Sequence, residues 1–233
     1  MSKSPTVIDR IGITVLKEHL FPCLLREGLN PYYGWDVFRR WVGDCFQRVG
    51  VSCHRDDVEE YGELTIGASV GFRSLAEFQK QLPRFGLLDV ARPQHFGGGI
   101  GHLYPPYQYS PWSIWPDTDA HALGQQVCRK VQQRVFRFFR EFATLDKVMG
   151  AWESDKATLN ELDWSSMLCV YWMRGQRDRA EACIQQRLQQ LKERYAREKR
   201  RLDLGCIEEV EQFAQSLRAL QNEPAGSSTG RGT

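Results

Sequence analysis

A stretch in the first third of the chain alternates strictly between apolar residues and small or polar ones. Its apolar members are Leu64, Ile66, Ala68, Val70 and Phe72. The residues between them are Glu63, Thr65, Gly67, Ser69 and Gly71. Because successive side chains of a β-strand point to opposite faces of its sheet, the pattern predicts a strand with one buried face. The rest of the fold is predicted around this strand.

Two more strands are predicted before it. Residues 37–41 supply the first, and a segment with apolar or thiol side chains at alternate positions supplies the second. The alternating set of that segment is Cys45, Val49, Val51 and Cys53. Gly43 and Asp44 suit a tight turn between the two strands. The prediction is an antiparallel meander in which both cysteines are buried and unreactive.

Helical periodicity lies on both sides of the meander. A first helix is predicted with Thr6 or Ser4 as its N-cap, a kink at Pro22 and a stop at Gly28. Its apolar stripe is Ile8, Ile11, Val15, Leu16, Leu20 and Leu24. After the meander, a short helix over 75–85 is expected on the apolar side of the sheet.

The second half of the chain is predicted to be helical. Asp117 or Asp119 can cap a long helix, and a short helix follows it up to residue 152. The last third indicates helices over 159–174, 177–202 and 207–220. Gly175 and Gly205 are expected at the joints.

These elements predict an α+β protein. We expect a small antiparallel β-meander of three to four strands, packed by helices and extended by a C-terminal α-helical region. Residues 1–152 would form the α+β domain, and residues 153–222 a helical subdomain packed on it. Residues 223–233, rich in Gly, Ser and Thr, are expected to be a disordered tail.

Composition favours a soluble protein of a reducing compartment. The seven cysteines are odd in number, scattered and without a C-x-x-C pair, which is typical of reduced thiols in a cytosol. The first twenty residues interrupt their apolar run with charges, unlike a signal peptide, and no uncharged apolar run reaches membrane-spanning length. A net charge of +2 is weak support for general nucleic-acid binding. We therefore expect a cytoplasmic protein with no membrane partner.

Two irregular segments follow the meander. The glycine run at 97–101 lacks the Lys-Ser/Thr of a phosphate loop and predicts a flexible loop before an edge strand. Residues 103–115 carry three prolines and five aromatic rings, which predicts an extended loop or edge strand. The rings could cover the sheet as a lid, or they could form a surface that contacts a partner.

No catalytic or metal-binding motif is present. The sequence contains no H-E-x-x-H, no G-x-S-x-G and no cysteine pair beside an H-x-E. His54 and Asp56 could form an acid–base pair, but a polar hairpin loop explains them more simply. We therefore expect no enzyme activity, no catalytic or metal-ligating residues and no cofactor.

The order of the elements resembles a bacterial family of unknown biochemical function whose members often occur beside polymorphic or secreted toxins. The features carrying the resemblance are PCLLREGLNP at the end of the first helix, Phe38-Arg39-Arg40, GASVGF, and IGHLYPPYQYSPWSIW before the helix from Asp119. The likeness spans about residues 8–152, and the insertion at 104–111 departs from the family pattern. The resemblance implies an immunity protein that binds a cognate toxin, a secreted effector, and neutralises it without chemistry.

Two surfaces could meet such a toxin. An acidic set could enter a basic substrate cleft, and its members are Asp56, Asp57, Glu59, Glu60 and Glu63. An aromatic set could supply buried anchors. Its members, with two neighbouring carboxylates, are Tyr104, Tyr107, Tyr109, Trp112, Trp115, Asp117 and Asp119.

Two other functions stay open. The basic helix faces at 129–140 and 192–201 could serve a nucleic-acid-binding or regulatory adaptor. An uncharacterised enzyme would instead need a pocket that joins His54 or His102 to a carboxylate.

Overall fold

The computed structural model describes residues 5–33, 36–56, 61–83, 96–105, 107–154 and 164–220. They form two compact units. The first contains the described residues of Met1–Arg73 and His95–Glu161, and the second those of Ser74–Gln94 and Leu162–Thr233. The tail predicted at 223–233 lies outside the described residues.

The strands and helices come largely in separate runs along the sequence, as expected for an α+β chain. The strands are β1 (Asn30–Tyr33), β2 (Val37–Val42), β3 (Cys45–Asp56), β4 (Tyr61–Phe72), β5 (Phe96–Gly99) and β6 (Trp112–Ile114). The helices of the first unit are α1 (Val7–Thr14), α2 (Phe21–Arg26), α4 (Ala120–Lys130), α5 (Phe136–Glu141) and α6 (Leu145–Glu153). Those of the second unit are α3 (Arg73–Gln79), α7 (Trp164–Met173), α8 (Arg177–Glu198) and α9 (Arg201–Ala219).

The predicted alternating strand is the centre of an antiparallel sheet. The order is β1-β2-β3-β4-β5, and β6 also pairs with β4. The ladder between β3 and β4 runs from Cys45 opposite Phe72 to Asp56 opposite Tyr61. Along β4 the predicted apolar residues are buried and those between them are half-buried up to Ser69. The predicted α+β class and the one-sided strand are confirmed.

The turn between β2 and β3 lies where it was predicted. Gly43 adopts φ +61°, a conformation that favours glycine. Cys45 is buried as expected, but Cys53 is exposed, so the prediction that both thiols are buried is wrong. The Cys53 sulfur lies close to Gly12 of α1, where an added Cβ would be 3.1 Å from it. Partial burial of that sulfur still raises the pKa of the thiol.

Two strands were not predicted, so the described sheet has six strands where three to four were expected. Asn30–Tyr33 is β1, although Asn-Pro is typical of a turn. The glycine run begins in β5, which pairs with β4 and is not a loop. Gly97 has φ +153°, and an added Cβ would lie 2.0 Å from the Ala68 carbonyl oxygen. The glycines thus permit a close approach of two backbones, a constraint that strand propensity does not reveal.

The N-terminal helical segment begins and ends at the predicted residues. Thr6 and Asp9 form a reciprocal capping box. At the other end Gly28 has φ +75°, and the Leu29 N–H bonds to the Leu24 carbonyl across it. Between α1 and α2, Val15–Leu20 is a π-helix. It directly precedes the turn that contains Pro22, which has no N–H to donate to the regular helix ladder.

The second long helix of this unit covers the buried face of the sheet. Of the two predicted N-caps, Asp119 caps α4, and a π-helical turn at Val131–Val135 joins α4 to α5. The buried stripe contains Leu123, Val127, Val131, Val135, Phe136, Phe138, Phe139 and Phe142. A hydrogen bond also joins the sheet to this helix. The buried Gln47 side-chain amide donates to the Phe139 carbonyl at 3.4 Å.

The helical unit differs from the prediction at one joint. Gly205 lies inside α9, and the break comes earlier at Lys199, which has φ +54°. Leu202, predicted in register with α8, therefore belongs to α9 and is exposed. An ion pair explains the earlier break, since the fully buried Asp203 accepts a hydrogen bond from Arg194 of α8 at 2.7 Å.

The short helix after β4 also departs from the prediction. It begins at Arg73 and ends at Gln79, and from Ser74 onward it groups with the C-terminal helices. Within that unit, the buried Gln79 amide donates to the Ser166 hydroxyl at 3.0 Å. Among the described residues, no helix is both long and apolar enough to cross a membrane.

The close approach of β5 to β4 gives a stability prediction. We expect Gly97→Ala to lower the free energy of unfolding by at least about 2 kcal/mol, because the new Cβ would overlap the Ala68 carbonyl. Gly50→Ala is the matched control, since an added Cβ there meets nothing within 4 Å. Urea unfolding followed by circular dichroism measures both. Equal effects of the two substitutions would contradict the account.

The Asp9 carboxylate gives a pH-dependent prediction. Hydrogen bonds from the Thr6 backbone and hydroxyl, both 2.8 Å, and the charge of Arg55 hold its pKa below the usual value. The stabilisation is therefore complete above the unfolded value of about 3.9 and is lost as pH falls through the lower folded value. Asp9→Asn should be less stable by about 0.5–1 kcal/mol at neutral pH.

That deficit should disappear in acid. Urea unfolding at neutral pH and at successively lower pH follows the protonation of the carboxyl group. Asp117→Asn, at an exposed carboxylate, is the control for simple loss of charge. A deficit that stays constant with pH would mean that the carboxylate charge is not what stabilises this helix start.

Candidate interaction surface

The aromatic segment returns to the sheet through β6, as the prediction of an edge strand requires. Glu63 of β4 lies opposite Ser113, and Leu64 lies opposite Trp112. Since side chains alternate along both strands, Trp115 has the same parity as Ser113 and lies on the face of Glu63. The pairing thus places the end of the aromatic segment beside one of the predicted acidic residues.

Two of the predicted aromatic residues are occupied by intramolecular contacts. Trp112 is buried, and the Lys130 ammonium lies 5.1 Å from its ring centroid. The half-buried Tyr104 hydroxyl donates to Glu141 at 2.6 Å, which together with burial raises the pKa of the phenol. Arg137 lies 4.5 Å from the same ring. Both rings belong to the scaffold that holds the segment against α4 and α5.

The other three predicted rings are exposed. Tyr107 is 49% exposed, Tyr109 66% and Trp115 48%. Trp115 stacks on Tyr61 with 5.3 Å between ring centroids, which fixes its orientation. The Tyr109 hydroxyl donates to the Glu63 carboxylate, and this bond raises the pKa of the phenol. We call Tyr61, Glu63, Tyr107, Tyr109 and Trp115 the aromatic–acidic edge.

The remaining acidic residues divide between surface and scaffold. Asp56 ends β3 directly opposite Tyr61, and Asp117 is exposed. Asp119 is the N-cap of α4, where bonds from the Ala122 and His121 N–H groups lower the pKa of its carboxyl. The other predicted members lie outside the described residues, and they are Asp57, Glu59 and Glu60.

The half-buried face of the sheet carries a second aromatic cluster that was not predicted. Arg39 and Arg48 lie directly opposite each other on β2 and β3, an unfavourable arrangement for like charges. The described residues give neither arginine an ion pair. Tyr32 lies under Arg39, with 3.1 Å from the guanidinium to the ring centroid, and the exposed Trp41 contacts Arg73. We call this cluster the basic end. The sequence could have indicated this cluster, because Arg39 and Trp41 alternate with the buried Phe38 and therefore point to the opposite face of the strand.

Several basic side chains on the two predicted helix faces bond to other groups of this protein. Arg134 donates to the Tyr104 carbonyl at 2.6 Å and Arg137 to Glu141 at 2.7 Å. In the helical unit, Lys192 lies 3.5 Å from Glu211. These contacts reduce the charge that either face offers to a nucleic acid, which weakens the adaptor hypothesis in its predicted location.

The histidines considered for catalysis lie on the surface. His54 Nε2 is 2.8 Å from the Ser52 hydroxyl, and Glu63 lies opposite His54 in the ladder. A nucleophile–base pair also needs a hydrogen bond that orients the base. Among the described residues Glu63 bonds to Tyr109 instead, and His102 is exposed without a carboxylate partner. The enzyme hypothesis stays untested.

One thiol pair was missed by the sequence analysis. The thiols of Cys23 of α2 and Cys128 of α4 interact with each other, which lowers the pKa of Cys23 and raises that of Cys128. The two lie about a hundred positions apart, so no spacing rule identifies them. Both are free thiols, and Cys23 is buried.

Comparison with family models, curated proteins and solved structures finds no match. The resemblance to the toxin-associated family therefore stays a prediction.

Tyr104 and Tyr109 both donate to a carboxylate, but Tyr104 is half-buried and Tyr109 is exposed. Tyr104→Phe should lower the free energy of unfolding by about 1 kcal/mol, because it leaves the half-buried Glu141 without its hydroxyl donor. Tyr109→Phe should leave it nearly unchanged, since that bond lies in solvent. Chemical denaturation of both variants gives the comparison. A larger loss at Tyr109 would place that ring in the scaffold.

Proposed function

We propose that this protein is an immunity protein that binds one cognate bacterial toxin and covers its active site or substrate-binding surface. The proposal rests on the family resemblance over residues 8–152 and on the aromatic–acidic edge. Neutralisation by binding needs a stable scaffold and a complementary surface, and it needs no catalytic group.

The exposure of Tyr109 and Trp115 beside Glu63 carries the proposal. Aromatic side chains are the commonest binding anchors because each buries a large area at a small cost in conformational entropy. Here the backbone under them is partly fixed by β6, and Trp115 is held by its stack on Tyr61. Preorganised rings of this kind lose little further freedom when a partner covers them.

The charge beside the rings indicates the chemistry of the partner. Glu63 lies within the edge, Asp56 lies opposite Tyr61, and the exposed Asp117 follows Trp115 by two residues. Carboxylates around apolar anchors favour a basic surface, such as the substrate cleft of a nuclease. Since the toxin would act in the cell that makes its inhibitor, the proposal places this protein in the cytoplasm.

A second candidate function uses the basic end. Arginines on an open sheet face, with a tyrosine and a tryptophan beside them, are a suitable platform for stacked bases and phosphates of a single strand. Arg39 and Arg48 without ion pairs among the described residues favour this candidate. It predicts oligonucleotide affinity that falls steeply with salt and is lost in the variant Arg39→Gln/Arg48→Gln.

The leading proposal is tested with the proteins encoded by the genes that neighbour the gene of this protein. Binding is measured by calorimetry, and protection by growth of cells that express toxin and protein together. Tyr109→Ala combined with Trp115→Ala should weaken the complex on the order of 100-fold and remove protection. Trp41→Ala is the matched control, since Trp41 is also 48% exposed but lies at the basic end. It should bind within about twofold of the parent protein.

Two results would contradict the proposal. One is the absence of a tight complex with any neighbouring toxin, together with no protection of toxin-expressing cells. The other is an unchanged affinity for the double variant, which would reject the aromatic–acidic edge as the binding surface.

A further inference from the structure

Three metal-ligating side chains meet where the N-terminal helical segment crosses α4. Glu18 and His19 are neighbours in the π-helix Val15–Leu20, and His121 lies in the first turn of α4. His19 Nε2 is 3.1 Å from His121 Nδ1, which in turn is 3.9 Å from Glu18 Oε2. One ligand atom from each residue lies within 4.8 Å of the others.

The local backbone builds this cluster. In a π-helix each backbone hydrogen bond spans one residue more than in an α-helix, so the turn is wider. Such turns are frequent at functional sites. The Asp119 cap fixes the start of α4 and therefore the position of His121 two residues later. Gly124, one turn further on, leaves space for the His19 ring, because an added Cβ would lie 2.3 Å from its Cδ2 atom. Glycine inside a helix costs about 1 kcal/mol of stability relative to alanine, so the space for the His19 ring reduces the stability of α4.

A hydrogen bond between the two imidazoles is the simpler explanation of the nitrogen spacing. The same spacing also suits two ligands of one ion, since metal–nitrogen bonds of about 2.0–2.1 Å at a tetrahedral angle separate the nitrogens by about 3.3 Å. The hydrogen bond alone gives no role to the carboxylate of Glu18 on the same side. A bound cation would use all three groups.

We propose that Glu18, His19 and His121 bind a divalent transition-metal ion, with Zn²⁺ as the fitting example. Two imidazoles and one carboxylate suit zinc and its transition-metal neighbours, whereas magnesium and calcium prefer oxygen ligands. The side chains of His121 and Glu18 are 66% and 58% exposed, so at least one coordination position faces solvent. An ion here would join segments separated by 102 positions and so stabilise the first unit.

The spacing along the chain explains why the sequence predicted no metal ligands. Glu18 and His19 are adjacent, so they match no helical i, i+4 ligand motif. His121 lies on a separate helix. Only the crossing of the two helical segments brings the three side chains together.

The test uses tag-free protein treated with a chelator and then titrated with ZnCl₂ or CoCl₂. We expect one equivalent of Zn²⁺ per chain, a higher melting temperature with Zn²⁺, no shift with MgCl₂, and Co²⁺ absorption bands of imidazole–carboxylate coordination. His121→Gln should weaken Zn²⁺ binding on the order of 100-fold, and Glu18→Gln on the order of tenfold. Both changes are at exposed side chains, so circular dichroism should show an intact fold.

His54→Gln and His102→Gln are the matched controls, since each removes an exposed histidine elsewhere. Both should keep the parent affinity and the Co²⁺ spectrum. Absence of Zn²⁺ binding, or affinity and spectrum unchanged in folded His121→Gln, would overturn the proposal and leave the hydrogen bond as the explanation. Equal loss in a control histidine variant would overturn it as well.

Discussion

The structure of the first unit depends on the backbone ladder between β3 and β4. Because that ladder is antiparallel and unbroken over both strands, it fixes which side chains face the helices and which face outward. A slip of one residue would expose Val70 and bury Glu63. The same register places His54 opposite Glu63 at one end of the sheet and Cys45 opposite Phe72 at the other. Arg48 of the basic end and Glu63 of the aromatic–acidic edge are therefore placed relative to each other by this ladder.

The second edge of β4 connects this scaffold to the proposed function. Two short strands share that edge, β5 near Ala68 and β6 near Glu63. The close approach at Gly97 holds the start of the returning segment, and contacts of Tyr104 and Trp112 with α4 and α5 hold its middle. Tyr109, which lies between those two contacts, and Trp115, which follows β6, then stand on a backbone that the scaffold has already ordered. That order is the condition for a preorganised binding surface.

Local patterns predicted the parts of this fold that local chemistry determines. Alternation identified β4, and the capping residues Thr6 and Asp119 were found because an N-cap needs a short side-chain oxygen. Long-range contacts decided what was missed. β5 contains Gly97, where the backbone approaches β4 closely, and the joint before Asp203 follows from the ion pair of this buried carboxylate with the partly exposed Arg194. The same limit applied to the site, since sequence grouped the aromatic rings together but could not say which were buried.

The central claim is that the exposed rings around Glu63 are the surface that meets a toxin. The structure of the complex with the cognate toxin tests it most directly. The account predicts that Tyr109 and Trp115 are buried against a basic cleft of the toxin, while Trp41 at the other end of the sheet stays in solvent. A complex in which both rings remain exposed and the toxin covers another surface would contradict it.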